Sequence, residues 1–127
     1  MPGRFHIAFG GLAGFAFLIA ASSFGQAPAP ATGKDLFERR CGACHALDRD
    51  KEGPRLGGVY GRKAGTVNTF DYSEALKASG ITWSEESLDK WISGPEKMVP
   101  NTDMSFHLEK AEERREIITF LKANSGQ

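Results

Sequence analysis

The apolar positions of this chain fall into one continuous run near its start and several short periodic stripes after it. The run extends from Ile7 to Ala21, behind a weakly positive beginning at Arg4 and His6. Ser22-Ser23-Phe24-Gly25 follows, with small residues at Ser23 and Gly25 suited to cleavage before Gln26. Residues 1–25 therefore read as a signal peptide, because the run is short and glycine-rich. An uncleaved anchor is the alternative, since Ile7 to Phe24 makes 18 residues, barely enough to span a bilayer. Residues 26–32 carry a Pro/Ala spacer of extended character.

From Thr32 onward the stripes have the helical period. Thr32 and Asp35 make a Thr-x-x-Asp cap, and Phe37, Cys41 and Cys44 recur at i, i+4 and i+7. That spacing predicts a helix whose apolar stripe carries Phe37 and both cysteines toward one interior. Gly53-Pro54, Gly57-Gly58, Gly61 and Gly65 punctuate residues 46–70, which read as loop. So long a structureless stretch in a compact domain calls for something to wrap around. A short helix follows over Ser73–Ser79, stopped by Gly80. The next spans Ser84–Ser93, with Leu88, Trp91 and Ile92 as its buried stripe and Gly94-Pro95 as its end. The last spans Lys110–Ala123, with Ile117, Phe120 and Leu121 inside and the Glu112–Arg115 run as a solvated outer face. No strand signal is present. The fold class is all-α: about four helices and long loops over residues 33–123, with a tail at 124–127.

Composition narrows the function. The 127 residues suggest one domain, and Lys plus Arg and Asp plus Glu number 16 each. That balance excludes a strongly basic nucleic-acid surface or a polybasic membrane patch. Loss of residues 1–25 removes only Arg4, leaving 15 basic against 16 acidic side chains, a net charge of −1.

The chemistry lies in Cys41-Gly42-Ala43-Cys44-His45, a C-x-x-C-H signature of covalent haem attachment. Two thiols at this spacing can add to the two vinyl groups of one porphyrin, and His45 can then take an axial position on its iron. Three other readings compete. A disulfide leaves His45 without a reason. A thioredoxin-like pair wants a preceding strand in a βαβ pattern. A zinc site needs four ligands, and only Cys41, Cys44, His45 and the distant His107 offer themselves. Haem suits the spacing best, and a bound porphyrin would extend the modest core that a chain of this length can bury.

With the helices placed, the chain resembles the class I c-type cytochromes, particularly the mitochondrial type and its bacterial relatives. The resemblance covers Gly33 to Lys122. It rests on Gly33-x-x-x-Phe37, Gly53-Pro54, Gly58-Val59-Tyr60-Gly61-Arg62-Lys63, Tyr72, Gly80-Ile81-Thr82-Trp83, Pro100-Asn101-Thr102-Asp103-Met104-Ser105-Phe106 and Phe120-Leu121-Lys122. It implies one covalent haem c. Of the three methionines, Met1 starts the chain, and Met104 rather than Met98 stands at the ligand position of the family's Pro-x-Thr-x-Met motif. The resemblance thus implies His45/Met104 ligation, with the Pro54 carbonyl accepting the His45 Nδ1–H. It also implies Tyr72, Trp83 and Arg62 near the haem propionates.

The chain departs from the mitochondrial pattern in several places. The stretch from His45 to Pro54 is three residues shorter, and Leu76 stands where many relatives have a polar residue beside a buried water. Glu96 and Asp103 replace two lysines of the ring at the haem edge, while Arg40, Lys63, Lys97 and Lys110 remain. The implied function is a monomeric single-haem electron carrier, not an enzyme, exported to the periplasm. Its redox partners would be a donor such as a quinol-oxidising cytochrome complex and an acceptor such as a terminal oxidase or other reductase. A membrane-anchored carrier, or a peroxidase-like or gas-binding haem protein with a labile sixth ligand, is the alternative.

Overall fold

Four of the five helices among the described residues begin where a side chain satisfies a free N–H group or a proline makes that unnecessary. In the computed structural model, residues 28–126 are described without a break, together with 1–4, 6, 10, 11 and 25. Most of the apolar run read as signal or anchor, and its cleavage site, lie outside the described residues. Among the described residues, no helix is long and apolar enough to cross a membrane.

Helix α1 (Gly33–Arg40) is capped by Thr32. Its hydroxyl accepts the Asp35 N–H at 3.2 Å, and the Asp35 carboxylate accepts the Thr32 N–H at 3.1 Å. α2 (Glu74–Ala78) and α3 (Glu85–Ser93) start at Ser73 and Ser84, whose hydroxyls accept from Leu76 and Ser87. The chain then forms a helix where Gly94-Pro95 reads as an ending. α4 (Pro95–Met98) opens on Pro95, whose fixed φ and missing N–H suit a first helical position. α5 is Ala111–Ala123. Among the described residues there are five helices, one of them a single turn, where about four are expected.

The core joins α1, α3 and α5 through Phe37, Leu88, Ile92, Ile117 and Leu121, with Ile117 fully buried. Two expectations change here. α1 stops at Arg40, and the N–H groups of both Cys41 and Gly42 converge on the Phe37 carbonyl at 2.8 and 3.0 Å. The cysteines therefore sit in a tighter turn, Cys41 half-buried and Cys44 exposed, and the stripe does not run on through both. On α5 the inner face is Ile117, Ile118 and Leu121. Glu113 and Arg114 lie one turn before the first two, so they share that face and are not simply solvated. Their side chains are 17% and 12% exposed, and each holds an ion pair.

The glycine-punctuated stretch is ordered by backbone pairing. Gly61 N–H donates to the Trp83 carbonyl, Trp83 N–H to Arg62 and Ala64 N–H to Ile81, at 2.7–2.9 Å. Only an isolated bridge, Lys63 with Thr82, results. Strands are absent among the described residues.

α1 crosses α5 at Gly33, where an added Cβ would strike the Glu116 carbonyl oxygen and come within 2.9 Å of Phe120 Cβ. Close by, the Phe37 and Phe120 rings pack at 5.4 Å. Gly33→Ala should therefore cost about 1–3 kcal/mol, as overpacking does. The haem-loaded protein would show it as a lower denaturant midpoint with an unchanged slope.

Candidate functional site

The end of α1 delivers His45 to an interior cavity. Cys44 N–H and His45 N–H both donate to the Cys41 carbonyl, at 3.1 and 2.8 Å, folding the motif into one turn. Gly53 N–H donates to the Cys44 carbonyl at 2.8 Å and brings the next loop against the imidazole. A Cβ on Gly53 would overlap the His45 ring, so glycine is required there by close approach. His45 Nδ1 donates to the Pro54 carbonyl at 2.8 Å. A carbonyl can only accept, so Nδ1 carries the proton and Nε2 keeps its lone pair. Burial holds the His45 pKa below its ordinary value, against the pull of the Pro54 carbonyl, and the Lys51 charge adds to the lowering. The imidazole is thus neutral at physiological pH and fit to be a ligand.

The segment carrying Met104 is pinned at both ends. Before it, Val99 N–H donates to the Pro95 carbonyl at 2.8 Å, and Asn101 takes a left-handed backbone at φ 66°. Asparagine tolerates that turn where a branched residue would not. After it, Leu108 N–H donates to the Ile92 carbonyl at 2.8 Å. Arg114 Nη1 donates to the carbonyls of Leu108 and Glu109 at 2.9 and 2.7 Å, while its Nε pairs with Asp89 at 2.7 Å. Between these anchors the Met104 side chain is half-buried, and Trp91 Nε1–H donates to its sulfur at 3.2 Å. Sequence periodicity gave Trp91 only a packing role. The signal was there in its chemistry, since a buried indole N–H needs an acceptor.

These segments enclose a cavity of about 580 Å³, within the size range of cofactor sites. Cys41, Cys44, His45, Pro54, Arg62, Tyr72, Trp83 and Met104 all line it, as do the core side chains Leu76, Leu88, Trp91, Ile117 and Leu121. Trp83 and Tyr72 are buried, edge-on to Trp91 and Phe70 respectively. Arg62 is half-buried and donates to the Gly57 and Arg55 carbonyls at 3.3 and 3.0 Å, with no carboxylate paired to it among the described contacts. Burial lowers its pKa, yet a guanidinium stays charged, so it presents a cation to the cavity.

The donor set fits a covalently attached haem: two free thiols, one neutral imidazole and one thioether around an apolar space. Burial, with the second thiol adding, pushes Cys41 up to about 11, so this thiol is protonated in the unmodified chain. It does not suit zinc. His107 is exposed and lies outside the cavity lining, and no metal-holding group of three His, Cys, Asp or Glu gathers among the described residues. Met98 is outside the lining too.

Comparison with known proteins identifies the family. The cytochrome c family model matches residues 30–125. Cytochrome c of Gibberella zeae is 40% identical over 94 residues, 71% of this chain and 89% of that protein. Cytochrome c of Chlamydomonas reinhardtii is 40% identical over 107 residues, 80% of this chain and 96% of that protein. Among solved structures, cytochrome cH from Methylobacterium extorquens superposes with a TM-score of 0.68 at 38% identity, covering 72% of this chain and 94% of that one. The chain belongs to the cytochrome c family, all-α carriers of electrons with covalently attached haem c.

Proposed function

We propose that this cytochrome carries single electrons between periplasmic redox proteins on a haem c whose iron His45 Nε2 and Met104 Sδ would hold. One observation carries the reading: an imidazole nitrogen and a thioether sulfur, from separate segments, line the same cavity as the two cysteines. Bound haem c supplies a one-electron ferric/ferrous couple. Cys41 and Cys44 tether it by thioether bonds. The Pro54 carbonyl orients the imidazole and raises its basicity. The Trp91 N–H holds the Met104 sulfur in place. With both protein ligands engaged, no position is left for a substrate, which supports a carrier over a peroxidase-like or gas-binding protein. Arg62 supplies positive charge for the propionates, with Tyr72 and Trp83 beside it. Export rests on the apolar run of residues 7–21 and the Ser-x-Gly site, with a monomer docking briefly on its donor and acceptor.

Covalent attachment is tested by acid-acetone extraction of the native protein. The colour should stay with the polypeptide, and haem passing into the organic phase would refute the thioether links. Replacement of either cysteine should give poorly accumulating protein.

Ligation is tested by spectra of the ferric protein. Met104→Ala should abolish the sulfur-to-iron charge-transfer band and admit cyanide, while Met98→Ala should keep the band. Met104→His should lower the potential by on the order of a few hundred millivolts, inside the ~0.8 V range set by axial ligands. Trp91→Phe should retain the band but let added imidazole displace Met104 at about 2- to 10-fold lower concentration, the worth of one modest hydrogen bond.

Export is tested by intact mass. Native haem-bearing protein should begin near Gln26 and be soluble in the periplasm. A chain retaining residues 1–25 in the membrane fraction would establish an anchored carrier instead.

A further inference from the structure

One peptide unit beside His45 is held from both ends. Its carbonyl is that of Pro54, which accepts the His45 Nδ1–H at 2.8 Å. Its N–H is that of Arg55, which donates to Asp50 Oδ1 at 2.9 Å. A trans peptide is planar and points its C=O and N–H in opposite directions. Imidazole and carboxylate therefore sit at the two ends of one conjugated amide.

The carboxylate is itself fixed. Its other oxygen, Oδ2, accepts the Thr69 hydroxyl at 2.6 Å, from the loop that leads to Tyr72. The Thr69 hydroxyl first, then the Arg55 N–H, hold the Asp50 pKa below its ordinary value, so the group is an anion at physiological pH. Arg55 Nη1 reaches the Thr69 hydroxyl at 3.3 Å, and Arg62 Nη2 donates to the Arg55 carbonyl at 3.0 Å. These two cations flank the carboxylate and offset its field at a distance. What remains is the hydrogen-bonded path through the peptide.

Hydrogen bonds in series polarise one another, and a bond to an ion is about twice as strong as a neutral one. An anion at the N–H end draws electron density toward the carbonyl oxygen, which makes Pro54 a better acceptor. The imidazole then carries more negative charge, and Nε2 becomes a stronger donor. Metal-binding histidines often lean on a carboxylate directly. Here a backbone amide lies between the two.

Resting on the reading of His45 as an iron ligand, we propose that Asp50 is a positioning residue that tunes this ligand through the Pro54–Arg55 peptide. Its charge strengthens the Nδ1–H hydrogen bond and favours the ferric state of the family's haem. Thr69 keeps the carboxylate aligned with the N–H.

The test uses haem-loaded protein carrying Asp50→Asn, which removes the charge at almost unchanged size. Proton NMR of the reduced form reads the His45 Nδ1–H, which should move upfield and exchange with solvent several-fold faster. In redox titration against a fixed mediator the ferrous/ferric ratio should rise about two- to tenfold, tenfold being ~59 mV for one electron. Asp48→Asn is the control, since Asp48 lies in the same loop but is exposed and paired with Arg49. It should leave the Nδ1–H in place and change the ratio less than about twofold, as a screened surface charge does. An unmoved Nδ1–H in Asp50→Asn, or an equal displacement in Asp48→Asn, would overturn the proposal. If Asp50→Asn fails to hold haem, Thr69→Val decides. That variant keeps the anion but frees it from alignment, so both readouts should move the same way by less, with Thr69→Ser restoring the parent values. A Thr69→Val protein identical to the parent would then refute the proposal. The ring protons of an axial imidazole lie far upfield in a reduced low-spin protein. Their absence for His45 in the parent would remove the ligand reading itself, whereas their presence leaves the variants to decide the role of Asp50.

Discussion

A domain this small has placed a cavity of about 580 Å³ where its core should be, and most of the structure answers to that. Leu88, Ile117 and Leu121 are the residues that join α3 to α5, and they are also walls of the cavity. Interiors are stable when they are filled to crystalline density. These side chains therefore reach that density only against a large, rigid, apolar body, and the family's covalent haem is one. The two thioether bonds then act as a structural staple as much as a means of retention. A chain with so modest a core of its own gains a large share of its buried apolar surface from the group it carries.

Much of this was legible in the sequence because capping and haem attachment are local codes. Thr32, Ser73 and Ser84 each begin a helix where their hydroxyls predict one, and C-x-x-C-H names its own chemistry. What the sequence concealed was contact between segments. The Glu112–Arg115 run reads as a solvated face from its charges alone. Only the crossing partners, Arg40 on α1 and Asp89 on α3, show that Glu113 and Arg114 face inward. Pro95 reads as a stop but opens another turn, because a proline that cannot continue a helix is well suited to start one. The single bridge between Lys63 and Thr82 has too short a pairing to leave any alternating pattern.

The far side of the cavity shows how the departures from the family pattern fit together. Leu76 removes a polar group from that wall, and the buried Trp91 supplies a donor that needs no water to reach Met104. A thioether sulfur is a weak acceptor, so the gain is modest, but an indole N–H aimed at it is satisfied in the same contact. The polar requirement of this wall is met by one direct bond. The hydrophobic shell around a metal site controls its dielectric, so this wall bears on the potential of the family's haem as well as on packing.

The anchoring of the Met104 segment and the pairing of Arg40 and Lys110 come from the same helix. Arg114 faces α3, where Asp89 and two carbonyls fix the end of the Met104 segment. Glu113, one residue earlier, faces α1 and gathers Arg40 and Lys110. Adjacent helical positions diverge by about 100°, so one step along α5 turns from the internal task to the surface task. Because the two side chains pair with different partners, their effects are separable. Loss of the Glu113 carboxylate unpairs Arg40 and Lys110, while loss of the Arg114 guanidinium unpairs Asp89 and frees the Leu108 and Glu109 carbonyls. In this cytochrome the first turn of α5 therefore governs both how firmly the segment after Met104 is anchored and how Arg40 and Lys110 are paired.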